Sequence, residues 1–451
     1  MEQNLKKVTN KMLWCFAVGQ FGWSLLSGVI TNWLVFFYQP TQDVITQGQK
    51  LYITQGAVFL GLTVLGLITA VCRVFDAVTD PWVASLSDRC TSRLGRRIPF
   101  LRGAAIPLAI VTVLVFCCPF GMSYGSNNFY LLVMLLLFYL FITLYCTPFN
   151  ALIPELGKTP KDRINVSTYI SVTFFLGTGT AYLLPNIAGL FQPRFGYTGS
   201  IRVTVAILAA VAAIAMLVPA FTLREHEFAD TTPSKTPGMK SLVKTFKNKE
   251  FQTFVKSDIL YFVSLTIFQT GLPFYITVLM KLDTSMSFVF FALMTVLSLA
   301  FYVPVNLLAK KWGKKKLVAF AFLFFSGVFL ITTFSGLAGF TGVLCGAVVS
   351  ALAAVPMAIL GILPQAIVAD IAEADAIETS ENREGMFYAA RTFAFKMGQS
   401  VAMLIFTALA AIGGTTGYRI SAVVAACFCL LGGVVFLKYH EDKITNVIAK
   451  K

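Results

Sequence analysis

Charged residues and histidine are both scarce in this sequence of 451 residues. Asp, Glu, Lys and Arg make up 13% of the chain and hydrophobic residues 57%, which excludes an ordinary water-soluble domain. The two histidines, His226 and His440, lie in polar stretches, and the nine cysteines show neither metal-binding spacing nor the pattern of a secreted disulfide scaffold. We therefore expect no cofactor and no metal centre, and an intramembrane enzyme is disfavoured. The composition predicts a polytopic membrane protein.

The excess of positive charge indicates membrane topology rather than a nucleic-acid partner. The chain has 36 Lys and Arg against 21 Asp and Glu, and the basic residues fall in short loops between apolar runs. Of these, 28 lie in loops on one side of the membrane and five on the other. Because Lys and Arg accumulate in cytoplasmic loops, both termini are predicted to be cytoplasmic. We expect a multi-pass protein of the cell (inner) membrane that is a monomer.

Long apolar runs predict an all-α membrane protein with twelve transmembrane helices in two pseudo-symmetric six-helix bundles. The predicted bundles are residues 1–223 and 251–451, joined by a polar cytoplasmic linker at 224–250. An internal repeat supports two halves, since Leu94-Gly95-Arg96-Arg97 after the second span is echoed by Trp312-Gly313-Lys314-Lys315 after the eighth. Such halves imply alternating access to a solute, which favours a carrier over a channel. The predicted spans are 12–38, 52–86, 99–120, 128–152, 165–191, 200–223, 252–280, 286–309, 316–334, 337–365, 383–411 and 416–438.

Two carboxylates lie inside the second predicted span. At 1.5 Å per helical residue, Asp80 lies about 14 Å and Asp76 about 20 Å inward from Arg89, where the membrane ends. An ionised Asp at this depth costs roughly 2.5 to 3.5 kcal/mol, so it indicates a function. The four-residue spacing puts both on one helix face, where Na⁺ or a shared proton would relieve their repulsion and Thr79 adds a hydroxyl. A structural ion pair of Arg73 with Asp76 is the alternative.

Other polar side chains fall at the same depth. Lys396 lies about 20 Å beyond Arg383, too deep to reach water by snorkelling, so we expect it to pair with the span-two aspartates when no cation is bound. Thr143, Ser171 and Gln20 form hydrogen bonds between helices or contact a ligand.

Arg391 and Thr392 neighbour this lysine in sequence. Thr392 shares a helix face with Lys396, whereas Arg391 is rotated away by about 140°. Arg391 therefore either contacts the substrate or forms a cytoplasmic-side ion pair with Glu384 or Asp370.

The loop after the second span is a candidate cytoplasmic gate. Its acid and arginines can bind the ends of neighbouring helices in one conformation and release them in another. Ordinary topology-setting charge is the alternative for the arginines. The candidate gate residues are Asp88, Arg89, Arg96, Arg97, Arg163, Asp370 and Arg383.

The chain resembles the major facilitator superfamily and, within it, the glycoside-pentoside-hexuronide:cation symporters that include the melibiose carriers. The resemblance rests on Asp76-Ala77-Val78-Thr79-Asp80-Pro81, on the loop from Ser87 to Arg97, on Pro148-Phe149 with Leu152 and Pro154, and on the run from Phe387 to Lys396. It implies sugar symport coupled to Na⁺, Li⁺ or H⁺ in the lipid bilayer. The cation-binding residues that it implies are Asp76, Thr79, Asp80, Thr143 and Lys396.

The sugar site of the family matches less well. Where melibiose carriers have charged sugar-binding residues, this chain has Trp23-Ser24, Cys146 and Ser171, with Asn150 in place of a tryptophan. Because a relative that moves lysophospholipids also lacks this charged clamp, a lysophospholipid-like or other amphipathic solute is the alternative to a sugar or glycoside. The candidate substrate residues are Gln20, Trp23, Ser24, Cys146, Asn150, Ser171, Arg391 and Thr392.

Overall fold

The computed structural model describes residues 9–59, 61–121, 123–156, 160–228, 244–337, 339–379 and 384–449. In this part of the chain, nearly all regular structure is helical. The chain divides into two compact units, unit 1 from 1–55 and 78–236, and unit 2 from 56–77 and 237–451. The predicted boundaries at residues 223 and 251 stay a prediction.

The helices of unit 1 pack around the first long helix. This helix, α1 (Asn10–Tyr38), packs mainly on α7 (Pro160–Tyr182) and α8 (Leu184–Thr222), while α4 (Ile98–Val115) packs on α5 (Tyr124–Ala151) and α8. Helix α8 is kinked at Gly196, whose φ of 66° lies outside the helical region. The short helices are α2 (Gln42–Thr46), α6 (Ile153–Leu156) and α9 (Glu225–Phe228).

The helices of unit 2 repeat this packing pattern. Helix α10 (Lys249–Phe274), which continues as a π-helical turn (Tyr275–Leu279), packs on α14 (Glu384–Ala410) and α15 (Gly414–Phe436). Helix α12 (Lys314–Thr333) packs on α13 (Gly342–Thr379) and α15, and α11 (Met286–Trp312) packs on α13. The last helix, α16 (Glu441–Ile448), packs on α13. Four of the unit 2 pairings thus correspond to the four in unit 1, whereas the α11–α13 pairing has no counterpart among those described for unit 1.

Helix α3 (Val64–Asp88) begins later than predicted. A short antiparallel hairpin, β1 (Ala57–Phe59) and β2 (Leu62–Thr63), precedes it, so the prediction of an overlong span from residue 52 is wrong. Gly56 and Gly61 have φ angles of 75° and 81°, which helices do not accommodate and which glycine adopts readily. Residues 78–88 of α3 belong to unit 1 and residues 64–77 to unit 2.

Ten helical stretches of the described chain are long and apolar enough to cross a membrane. One of them, Thr168–Thr222, contains 55 residues, enough for two crossings. Helix α3 is not among the ten, because Arg73, Asp76 and Asp80 interrupt its apolar run. Helix α13 extends 14 residues beyond its predicted end at 365, since good helix formers continue past the apolar stretch.

Candidate cation and solute site

Asp76 occupies the centre of α3 and pairs with two basic side chains of unit 2. Twelve residues of α3 lie on either side of it, which is about 18 Å to each end. Lys396 Nζ, from α14, lies 2.9 Å from Asp76 Oδ1, and Arg73 Nη1 lies 3.9 Å from Oδ2. Both the expected pair with Lys396 and the alternative pair with Arg73 are therefore present. Because Asp76 is only 3% exposed, these cations offset a large desolvation cost.

Asp80 lies one turn further along α3 and has a hydroxyl partner in unit 1. Thr147 Oγ1 donates a hydrogen bond of 3.2 Å to Asp80 Oδ1. Thr143 lies one turn before Thr147 on α5 and is buried. Thr147 is absent from the predicted set, although its four-residue spacing from Thr143 is a signal that would have included it.

The backbone around Asp80 adds further oxygen donors. Pro81 follows Asp80 inside α3, and because proline has no N–H, the carbonyl of Ala77 lacks its usual helical donor. Thr79 is buried on the same turn. Carboxylates, hydroxyls and free carbonyls are hard ligands, which suit a small cation such as Na⁺.

Arg391 forms a buried bidentate ion pair in unit 2. Its Nε lies 2.7 Å from Asp258 Oδ2 and its Nη2 lies 3.1 Å from Oδ1, and the guanidinium also lies over the rings of Phe254 and Phe262 at 5.6 and 5.9 Å. Of the two expected partners, Asp370 pairs instead with Lys314 of α12, and the side chain of Glu384 lies outside the described residues. The ion-pair interpretation of Arg391 thus has a partner, Asp258, that was not predicted.

Three candidate substrate residues lie on α1. Ser24 is buried against Gly177 of α7, and its hydroxyl donates to a backbone carbonyl one turn earlier, so it serves helix packing. The ring of Trp23 contacts Phe174 of α7, with 6.4 Å between the centroids. Gln20 Oε1 and Trp23 Nε1 are buried and have no hydrogen-bond partner among the described residues. Because an unpaired buried polar atom is costly, these two atoms are candidates for a further hydrogen bond.

The remaining candidate substrate residues vary in exposure. Cys146 is half-buried on α5, whereas Asn150 near the end of that helix and Ser171 on α7 are exposed. Thr392 Oγ1 donates to the carbonyl of Tyr388 within α14.

Candidate gate residues form ion pairs at the start of α4 in unit 1. Arg97 Nη2 lies 2.7 Å from Asp88 Oδ1, and Arg97 Nη1 donates to Ser87 Oγ at 2.8 Å. These contacts fix the end of α3 to the start of α4. Arg89 is exposed. The side chain of Arg163 and the whole of Arg383 lie outside the described residues.

Glu225, which was not predicted, binds the amino end of α4. Its Oε2 accepts the backbone N–H groups of Arg97 at 2.7 Å and Ile98 at 3.2 Å, where a carboxylate also interacts favourably with the helix dipole. Gly95 precedes this end with a φ of 106°, and a Cβ there would lie 2.4 Å from the Glu225 carboxylate. The turn therefore requires glycine.

Unit 2 contains the equivalent arrangement at the amino end of α12. Glu441 accepts the backbone N–H groups of Lys314 at 2.7 Å and Lys315 at 2.9 Å. Gly313 has a φ of 84°, and a Cβ there would lie 2.9 Å from the Glu441 carboxylate. The Gly-Arg-Arg and Gly-Lys-Lys sequences thus both lie at a helix amino end that is capped by a glutamate, but the bonded N–H groups lie one residue nearer to the glycine in unit 2.

Glu155 links α6 to this region of unit 1. Arg96 Nη2 lies 3.2 Å from its Oε1, while its Oε2 is buried with no hydrogen-bond partner in the described chain. Burial raises the pKa of Glu155 to about 7, because the loss of hydration outweighs the attraction of Arg97 and Arg96 and the nearby Glu225 adds to the rise. Glu155 therefore titrates near neutral pH.

The helical fold, with buried ion pairs inside apolar helices, is typical of a polytopic membrane protein. Residues 15–435 match the family described as MFS/sugar transport protein. The chain belongs to this family, and its resemblance to the glycoside-pentoside-hexuronide:cation symporters is confirmed.

Individual relatives cover parts of the chain. A putative glycoside/cation symporter, YagG of Escherichia coli (strain K12), is 31% identical over 39% of this chain and 38% of its own length. The sodium-dependent lysophosphatidylcholine symporter 1 of Xenopus tropicalis is 34% identical over 24% of this chain and 21% of its own length. The matched segments thus span less than half of these relatives.

Solved structures share the fold over nearly the whole chain. The crystal structure of a D-xylose-proton symporter has a TM-score of 0.66 and 15% sequence identity, and the match covers 95% of this chain and 97% of that one.

Proposed function

We propose that this protein is a secondary active transporter that couples the symport of a sugar or glycoside to the downhill entry of Na⁺ or H⁺. The observation that carries the proposal is the buried Asp76–Lys396 ion pair, one helical turn from a second aspartate, Asp80. The family description and the name of the relative YagG support a sugar or glycoside as the solute.

The proposed coupling step is an exchange of positive charges at Asp76. Without a coupling ion, the Lys396 ammonium neutralises Asp76 at 2.9 Å. An incoming Na⁺ or proton takes over this role and is shared with Asp80, so Lys396 is released without leaving a bare buried carboxylate. Thr79 and Thr143 supply hydroxyl oxygens in this proposal. The net charge on this turn of α3 then determines which conformation of the alternating-access cycle has the lower free energy.

The solute is proposed to bind through neutral groups on the unit 1 side. The unpaired atoms Gln20 Oε1 and Trp23 Nε1 can bond hydroxyls, and the Trp23 ring can stack on a pyranose face. No charged residue is among the candidates on α1, α5 and α7, which favours a neutral sugar over a hexuronide. Arg391 is expected to hold α14 on α10 through Asp258 rather than to meet the solute.

Uptake into proteoliposomes with imposed Na⁺ or H⁺ gradients tests the coupling. Asp76→Asn and Asp80→Asn should each abolish uphill accumulation, because an amide cannot carry the charge that the cation neutralises. Asp43→Asn, at an exposed position of α2, is the matched control and should accumulate solute normally. Uphill transport surviving in both variants would refute coupling, and indifference of the parent protein to both gradients would indicate a uniporter.

A lysophospholipid-like solute is the second candidate. It is supported by the 34% identity to the lysophosphatidylcholine symporter, but over 24% of this chain. A thermal-shift screen of sugars, glycosides and lysolipids, each with and without Na⁺, separates the two solute classes. Stabilisation by a lysolipid alone would favour the second candidate.

The proposed topology has twelve spans with both termini in the cytoplasm of the cell (inner) membrane. The ten apolar helical stretches become twelve spans if Thr168–Thr222 crosses twice and α3 crosses despite its charges. The excess of Lys and Arg in the loops on one side of the membrane supports cytoplasmic termini. We propose a monomer as the functional unit.

A further inference from the structure

Unit 2 contains a lysine-rich cleft whose lining includes neither Asp76 nor any candidate solute residue. It has a volume of about 490 Å³ and lies between the start of α10, the end of α13 and α16. Its charged lining residues are Lys244, Lys247, Lys249, Lys443, Glu250, Asp375 and Glu378. The volume falls within the range of about 300 to 1,000 Å³ that is typical of small-molecule sites.

Two of the three carboxylates in the cleft already have partners. Asp375 Oδ1 accepts a hydrogen bond of 3.1 Å from Asn248 Nδ2. Glu250 Oε2 accepts the backbone N–H of His440 at 3.1 Å, and its Oε1 lies 3.7 Å from Lys443 Nζ. Both carboxylates are buried, 6% and 8% exposed, and therefore serve to hold α10, α13 and the chain before α16 together.

Three of the lining lysines, Lys247, Lys249 and Lys443, in contrast retain much of their positive charge for a ligand. Lys247 and Lys249 are exposed and form no ion pair within the part of the chain that the structure describes. Lys443 is 59% exposed, and its nearest carboxylate, that of Glu250, lies at the outer limit of a salt bridge. Glu378 is the one acid of the described lining without such a contact, so its negative charge offsets part of the positive charge of the lysines. The cleft consequently presents a net positive surface to any ligand.

The position of the cleft along α10 sets which ligands can reach it. The uninterrupted apolar part of α10 begins at Ile259, ten residues after Lys249, which is about 15 Å at 1.5 Å per residue. The headgroup layer of a bilayer is about 5 to 8 Å thick on each side, so the lysines extend to its outer edge and beyond. On the predicted topology this end of α10 is cytoplasmic.

We propose that this cleft binds a phosphate-bearing anion through Lys247, Lys249 and Lys443. Ammonium groups form charge-assisted hydrogen bonds with phosphate oxygens, and basic pockets between membrane helices suit anionic headgroups as well as soluble phosphate esters. The cleft shares no lining residue with the proposed solute site, so the two proposals are tested independently.

Isothermal titration of the purified full-length transporter in neutral detergent tests this site. The soluble probe is glycerol 3-phosphate, the lipid probe is a short-chain phosphatidylglycerol, and glycerol is the uncharged control. We expect a phosphate probe to bind, glycerol not to bind, and the affinity to fall as NaCl is raised, because salt screens exposed charges. Preference for one of the two phosphate probes identifies the source of the anion.

The matched variants are Lys247→Gln/Lys249→Gln in the cleft and Lys310→Gln/Lys311→Gln at the exposed end of α11. The cleft variant should weaken binding by about tenfold or more, since two charge-assisted contacts are lost, and the α11 variant should leave it unchanged. Absence of binding by the parent protein to both phosphate probes, or equal binding by the two variants, would overturn the proposal.

Discussion

At the scale of single residues, Asp76 lies between Lys396 and Arg73, and the two cations are not equivalent. Lys396 Nζ is within hydrogen-bond distance at 2.9 Å, whereas Arg73 Nη1 is at 3.9 Å, beyond a direct hydrogen bond. Lys396 is therefore the principal partner, and Arg73 is a weaker second charge that remains when the lysine is removed.

The loss of stability caused by replacing Lys396 should be reversed by a second substitution at Asp76. Lys396→Met leaves the buried Asp76 carboxylate without the nearer of its two cations, so we expect a loss of stability of about 3 kcal/mol, seen as a lower melting temperature in detergent. The double variant Lys396→Met/Asp76→Asn removes both charges and should recover most of the lost stability. Lys310→Met, at an exposed position, serves as the control. Equal melting temperatures of the single and double variants would contradict the assigned pair.

Glu155 predicts a dependence of stability on pH. Its pKa in the folded protein is raised to about 7, so its protonated form stabilises the fold below the unfolded pKa near 4.5, and this contribution is lost as the pH rises through 7. Glu155→Gln mimics the protonated form. The variant should match the parent near pH 5 and exceed it near pH 8 by about 2 to 3 kcal/mol.

Thermal unfolding at several pH values measures this difference. The Arg96–Glu155 contact reduces the expected stability gain of the variant at pH 8, because the guanidinium stabilises the charged carboxylate of the parent. A variant that is less stable than the parent at pH 8 would show that the ion pair dominates over burial.

The depth of the site residues within the membrane could be predicted from the sequence. The Asp76–Lys396 pair follows from counting residues inward from the charged loops, because a helix converts residue number into distance. Thr147 could have been included from the four-residue spacing of threonines on α5. Asp258 and Glu225 were missed for a different reason. Their partners lie on other helices, and the rotation of one helix against another is decided by packing.

At the scale of elements, most predicted and observed helix ends lie within a few residues of each other, and the larger differences have local causes. The predicted boundary between spans five and six at 191–200 is wrong, because α7 ends at Tyr182 and α8 continues through Pro193. The apolar residues before α3 were expected to be helical from 52, yet two glycines with positive φ produce a hairpin there. The polar end of α13 was expected to be a loop, yet its alanines and glutamates continue the helix to Thr379.

Adding a single methyl group to Gly95, in the capped turn before α4, should lower the stability of the fold. Gly95→Ala must place its Cβ 2.4 Å from the Glu225 carboxylate at a φ of 106°, so we expect a loss of about 1 to 3 kcal/mol. Gly103→Ala, in the middle of α4 with no atom within 4 Å of its added Cβ, is the control and should be neutral or stabilising.

Melting temperatures of the two variants provide the comparison. The equivalent substitution Gly313→Ala, 2.9 Å from Glu441, should resemble Gly95→Ala if both capped turns serve the same purpose. A Gly95→Ala protein as stable as Gly103→Ala would show that Glu225 moves away without cost.

At the scale of the whole molecule, the proposed topology makes a prediction for reporter fusions. Both termini and residues 229–243 should be on the cytoplasmic side, while residues 334–341, between α12 and α13, should be on the outer side. Alkaline phosphatase fused after residue 337 should be active, and fused after residue 236 inactive. A green fluorescent protein at the carboxyl terminus should fluoresce, and the reverse pattern in any fusion would refute twelve spans with cytoplasmic termini.

The ion pair between Asp76 and Lys396 also constrains how the chain is made. The two residues are 320 positions apart, so a ribosome adding roughly 5 to 20 residues per second delivers the lysine about half a minute after the aspartate. Throughout that interval α3 must remain at the insertion machinery or in the lipid with Arg73 as its nearby counter-charge. During biogenesis, the Asp76 carboxylate of the early helix α3 therefore gains its nearer counter-charge only after the late helix α14 has been synthesised and inserted.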